Sequence, residues 1–167
     1  NSLGISIPYE FFSKLTKLNW YDILFAIENG FLSYQFAIKY AISEVLNNEN
    51  LSQTILDLAC LSPVGEFQSY LVQQYLNKLV NQISNEKKSE TKNKVMYILL
   101  YWIFENKECY EDPLKVVEFI YDDFDFPISM VEFVRYMPAN QSLLNTADEN
   151  MEQLYRNWKL FLDNQEY

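Results

Sequence analysis

Apolar residues recur at intervals of three and four along nearly the whole chain, the period of amphipathic helices. In NWYDILFAIENG, Trp20, Ile23, Leu24 and Ile27 form one stripe. Asn19 stands in the capping position, Asp22 in the first turn, and Gly30 where a left-handed closure favours glycine. Ser33 then opens YQFAIKYAISEVLNN, with Phe36, Ala37, Tyr40, Ala41 and Val45 on one face. The short connection between the two predicts an antiparallel helical hairpin.

A third helix is expected from about Leu51 to Leu61, with Ile55, Leu58 and Ala59 inward, ending before Pro63. A fourth, from about Gly65 to Ser84, carries Phe67, Leu71, Tyr75, Leu79 and Ile83 as its apolar row. The polar segment NEKKSETKNK reads as an exposed loop leading into a helix near Ser89. VMYILLYWIFEN, apolar on nearly every side, reads as the centre of the core. Asp112 and Pro113 form an N-cap and first-turn pair ahead of PLKVVEFIYDDF, with Leu114, Val117, Ile120 and Phe124 inward. Pro127 opens a shorter helix, ISMVEFVRYM, closed by Pro138. Thr146 and Glu149 match a capping box before ENMEQLYRNWKLFLDN, with Met151, Leu154, Trp158 and Phe161 or Leu162 inward.

These segments predict an all-α fold of seven or eight helices, antiparallel hairpins packed as an irregular bundle or a short solenoid-like stack. No period of roughly 33 to 47 residues repeats, so no familiar helical repeat is announced. A strand at ISIP would have no obvious mate. With only 3 Gly and 5 Pro, the chain lacks the turn residues that multi-stranded sheets need. At 167 residues, one domain spanning 1–167 with one core is the expectation.

Charge narrows the function classes. The net charge is −10, and the eight acids from Glu105 to Asp125 face only Lys107 and Lys115 in that segment. Such a field repels phosphate backbones and anionic lipids, and it speeds encounter with a basic protein. Neither nucleic acid nor a membrane is an expected partner. No apolar run approaches the roughly 20 residues that span a bilayer, and NSLGISIPYE has no cationic start followed by a hydrophobic stretch. Cys60 and Cys109 are isolated, as expected of reduced, buried thiols in a cytoplasmic protein.

The chain contains 0 His, which removes histidine bases, Ser-His and Cys-His nucleophile pairs, and imidazole zinc sites. Phosphate-cradling glycine loops are also missing. An enzyme built from this material would be a helical hydrolase with carboxylate-bound magnesium or manganese, drawing on pairs such as Glu105 with Glu108 or Glu118 with Asp122. A solvated acidic helix face accounts for the same spacing. No cofactor is expected.

FIYDDFDFP, Phe119 to Pro127, is the segment that asks for a use. Asp122 and Asp123 lie near the C-terminal end of a helix, where the macrodipole disfavours carboxylates by roughly 0.3 to 1 kcal/mol each. A solvated helix end explains them, and so does recognition of a cationic partner. In the second reading Glu118, Asp122, Asp123 and Asp125 pair with lysines or arginines of the partner while Tyr121 or Phe126 supplies aromatic contact. Arg135, one of two arginines, is expected to form an internal fork with a carboxylate such as Asp123.

The segments YEFF, WYDILFAIENGFLS, AIKYA, DPLKVVEFIYDDFDFP, FVRYMP and LYRNWK, taken in order over nearly the full chain, resemble a bacterial family known as domain of unknown function 2247. The resemblance implies a likeness to immunity proteins encoded beside polymorphic secreted toxins, and it carries over no catalytic residue. The resulting expectation is a non-enzymatic protein that neutralises a basic toxin domain, such as a nuclease, by direct binding. The metal-dependent hydrolase and an oligomeric scaffold or adaptor are the alternatives, and the chain's own oligomeric state is left open.

Overall fold

A computed structural model describes residues 4–48, 51–62, 64–65, 68–142 and 144–165. Among them are eight α-helices and no strand: α1 (Tyr9–Leu15), α2 (Trp20–Glu28), α3 (Tyr34–Asn47), α4 (Gln53–Ala59), α5 (Gln68–Val80), α6 (Asn85–Glu105), α7 (Pro113–Asp123) and α8 (Ala147–Asn164). The all-α expectation holds. Contacts divide the chain into two units, Asn1–Val95 and Met96–Tyr167, and the division falls inside α6.

In the first unit, α3 packs on α4, and α2, α3 and α4 all pack on α5. Asn19 caps α2 reciprocally: its side chain accepts from the Asp22 N–H, and the Asp22 carboxylate accepts from the Asn19 N–H. The helix closes as a Schellman motif. Phe31 N–H reaches the Ala26 carbonyl (2.8 Å), Gly30 N–H reaches that of Ile27 (3.0 Å), and Gly30 takes φ 77°. Trp20, Ile23, Leu24 and Ile27 are buried as the stripe predicts. ISIP forms no strand; Ile5 and Ile7 are buried, and Ile7 N–H donates to the Phe31 carbonyl at 3.3 Å.

Four expectations change in this unit. Helix α6 starts at Asn85, so NEKKSETKNK is helical: the Ser84 hydroxyl accepts from Lys87 N–H, and Thr91 and Lys94 turn inward. They meet the Asp22 carboxylate. Lys94 donates to Oδ2 at 2.7 Å, the Thr91 hydroxyl donates to Oδ1 at 2.6 Å, and Lys94 also reaches the Lys17 carbonyl at 3.1 Å. A polar run is thus helical because its inward polar groups find a charged partner rather than apolar surface.

The buried row of α5 is Val72, Leu76, Leu79 and Val80, not Leu71, Tyr75 and Ile83, while Phe67 lies outside the described residues, as does Pro63 after α4. A strict spacing of four rotates about 40° per step around a helix of 3.6 residues per turn, so it leaves the core face within a few turns. Cys60, at the C-terminal cap of α4, is exposed, and so is Cys109 in the second unit. Cys60 sits where α4 has just ended, and Cys109 is the last residue of a 3₁₀ turn, Lys107–Cys109, that buries none of its residues. A further helix, α1, forms where no helix was expected, with Phe12 buried edge-on against Phe36.

In the second unit, consecutive residues from Met96 to Leu100 and Ile103 are buried, in keeping with a segment apolar on all sides. Trp158 of α8 is fully buried, edge-on to Phe104 at 5.0 Å and stacked on Phe133 at 6.3 Å. Thr146 caps α8 by accepting from Glu149 N–H; Leu154, Trp158 and Leu162 are buried, whereas Met151 is exposed. After Pro127 the chain makes only a 3₁₀ segment, Ile128–Phe133, and Pro138 begins another short turn rather than closing a helix. Asn140 holds this region by donating to the carbonyls of Val131 (2.7 Å) and Val134 (2.9 Å).

Candidate functional site

Helix α7 and the segment after it bring the predicted site residues together within the second unit. Asp112 caps the helix by accepting from Lys115 N–H, and Pro113 occupies the first turn, where its missing N–H does no harm. Leu114, Val117, Ile120 and Tyr121 are buried, which turns Phe119, Asp122 and Asp123 outward.

The end of α7 is not frayed. Phe126 N–H donates to the Tyr121 carbonyl at 2.9 Å and Asp125 N–H to that of Asp122 at 3.3 Å, the two bonds of a Schellman closure. Phe126 also packs edge-on against Tyr121, ring centroids 5.3 Å apart, in the apolar contact typical of that closure. The left-handed positions are filled by Asp125 (φ 61°) and Phe126 (φ 57°), whereas the equivalent closure of α2 uses Gly30.

Arg135 forms the internal fork, with partners other than the expected Asp123. Its Nε donates to Glu118 Oε1 at 3.0 Å, and its Nη1 reaches Asp112 Oδ2 at 3.1 Å. Burial pulls the guanidinium down, but the hydrogen bonds and charges of Asp112 and Glu118 hold it above its ordinary value. Two carboxylates at opposite ends of the first two turns of α7 share one cation, while Asp123 sits one turn beyond them. Next along the chain, the Tyr136 hydroxyl donates to Asp122 Oδ1 at 3.0 Å. Partial desolvation and that bond push the phenol up to about 12.

Each residue of the candidate surface therefore has a defined place. Glu118 is tied to Arg135, and Asp122 accepts from Tyr136; Asp123 and Asp125 are exposed. Tyr121 is 6% exposed and Phe126 is 58% exposed, so Phe126 is the ring of the pair available to a partner. Tyr136, which was not singled out from the sequence, stands 6.0 Å from Tyr121 and is itself exposed. Its 14-residue separation from Asp122 leaves no local pattern by which to find it.

The charge is divided unevenly. Met96–Tyr167 holds 14 Asp and Glu against 5 Lys and Arg, a net of −9, whereas Asn1–Val95 holds 9 against 8, a net of −1. Among the described residues no three His, Cys, Asp or Glu side chains gather as a metal-binding group, and no helix is long and apolar enough to cross a membrane. Glu118, one half of the carboxylate pair that a metal site would draw on, is already engaged by Arg135.

No curated protein and no solved structure matches the chain. A family model does match, over residues 9–166, from α1 to beyond the end of α8. The chain belongs to the family described as uncharacterized protein conserved in bacteria, domain of unknown function 2247.

Proposed function

We propose that this protein is a non-enzymatic binding protein that engages a basic protein through its second unit, and that the partner is a toxin domain which it neutralises as an immunity protein. The observation that carries this reading is the charge division: a net of −9 in Met96–Tyr167 against −1 in Asn1–Val95. Solubility alone would be served by charge spread over both. Concentrated negative potential instead raises the rate at which a positively charged surface arrives and sets its orientation. Exposed Asp122, Asp123 and Asp125 beside the exposed Phe126 ring combine a polar rim with an aromatic anchor. The fork at Arg135 secures Glu118 and Asp112 for the fold.

The test is affinity capture from lysate of the source cells at low salt, comparing the native chain with Asp122→Asn/Asp123→Asn/Asp125→Asn. The expected result is one basic protein held by the native chain, released as salt rises, and lost from the triple variant. Such a partner should also have a toxic activity that the native chain suppresses. A captured partner that is acidic, or whose retention is indifferent to salt, would refute the proposal, because exposed charge pairs are screened over about 8 Å at physiological ionic strength.

A further inference from the structure

Two exposed rings pack against a single buried ring in the second unit, and one of them is bonded to a carboxylate. Phe126 (58% exposed) and Tyr136 (42% exposed) both stand edge-on to Tyr121, with centroids at 5.3 and 6.0 Å. The Tyr136 hydroxyl donates to Asp122 Oδ1 at 3.0 Å, which leaves Oδ2 to accept from outside the chain. The φ of 57° at Phe126, held by its N–H bond to the Tyr121 carbonyl, fixes where this ring leaves the backbone.

We propose that Phe126, Tyr136 and Asp122 receive one arginine side chain of the basic partner. This rests on the reading of the second unit as a binding surface for such a protein. Aromatic faces carry the negative part of the ring quadrupole and attract cations, most strongly where the cation also finds an acceptor. A guanidinium suits the arrangement better than an ammonium: it is planar, weakly hydrated, stacks on a ring, and keeps N–H groups at its edge for Asp122 Oδ2. A second copy of the chain is a poor occupant, since it would bring another unit of net −9 to an acidic surface. Asp123 and Asp125, both exposed and within the same turn, add to the potential that draws a cation in.

The experiment is an NMR titration of isotope-labelled protein, at constant ionic strength, with N-acetyl-arginine amide, N-acetyl-lysine amide and the neutral N-acetyl-citrulline amide. Saturable shifts at Tyr121, Asp122, Phe126 and Tyr136 are expected with arginine, weaker ones with lysine and none with citrulline. Phe126→Leu should weaken the arginine response by about two- to fivefold, the worth of one exposed cation–ring contact. Asp122→Asn should weaken it at least as much; because Asp122 is exposed, this variant carries the test if Phe126→Leu proves poorly folded. Tyr136→Phe keeps the ring and releases Asp122, so it should retain binding. Equal responses to arginine and lysine that ignore Phe126→Leu and follow only Asp122→Asn would overturn the receptor and leave the acidic-surface reading standing. No saturable shift with any cation would also overturn the receptor, while the broader reading is judged separately by capture and salt release of the whole partner.

Discussion

Lys94 Nζ lies 2.7 Å from Asp22 Oδ2, with the aspartate side chain fully buried and the lysine side chain 9% exposed. The pair joins the first turn of α2 to the middle of α6 across 72 residues of chain. Asp22 also accepts from the Thr91 hydroxyl and the Asn19 N–H, so its charge is compensated on every side the fold presents. Removing one partner of a buried pair costs roughly 3 to 5 kcal/mol, because the other charge stays buried. Asp22→Ala is expected to be the worse change, since it orphans Lys94, Thr91 and the α2 cap together, whereas Lys94→Met leaves Asp22 two donors. Urea denaturation of the two variants would show this order; equal, small losses would mean that the network contributes little.

The two Schellman closures give opposite expectations for glycine. At Asp125 a residue with a Cβ sits at φ 61°, where left-handed backbone is disfavoured by roughly 1 to 2 kcal/mol for most L-residues and less for Asp. Asp125→Gly should raise stability by up to about 1 kcal/mol, the gain reduced by the extra freedom of glycine in the unfolded chain and by the loss of the interaction the aspartate makes. Gly30→Ala, at φ 77°, should lower it by about 1 to 2 kcal/mol. A shift in thermal midpoint of the same sign for both would contradict the assignment.

Asp112 has two separable roles, helix cap and partner of Arg135. Asp112→Asn keeps a capping acceptor and removes the charge, while Asp112→Ala removes both. The difference between the two variants should be on the order of 1 kcal/mol, the usual worth of an N-cap. Arg135→Ala should cost a similar amount at low salt and less at 1 M salt, because all three side chains of the fork are only partly buried. Chemical denaturation at two ionic strengths measures both.

Tyr136 ties the site to alkaline pH. Its folded-state value is raised from 10.0 to about 12, by desolvation and then by the bond to Asp122. A group raised on folding contributes stability that is complete below its unfolded value and is lost as pH climbs through the folded one. The contribution should therefore fade between about pH 10 and pH 12. In Asp122→Asn the phenol should titrate earlier, as followed by NMR of the tyrosine ring carbons. Coincident titrations would remove the Asp122 bond as a cause.

Helix existence and most caps were legible in the residues themselves. Asn19 with Asp22, Asp112 with Pro113, and Thr146 with Glu149 each act over three residues or fewer, so their chemistry is written in adjacent letters. The closure at Asp125 was hidden because glycine is the usual marker of a left-handed position, and here an aspartate occupies it. The polar start of α6 read as a loop because composition cannot say that Thr91 and Lys94 will meet Asp22.

Composition, local periodicity and capping therefore determine that this chain is helical, acidic and free of histidine chemistry, since those properties depend on residue content and on contacts within a turn. Partner choice is a tertiary matter. That Arg135 holds Asp112 and Glu118 rather than Asp123, and that Tyr136 meets Asp122, follows from how the segment after Pro127 returns along α7, because hydrogen bonds between side chains 14 to 23 residues apart form only once packing has placed them within about 3 Å.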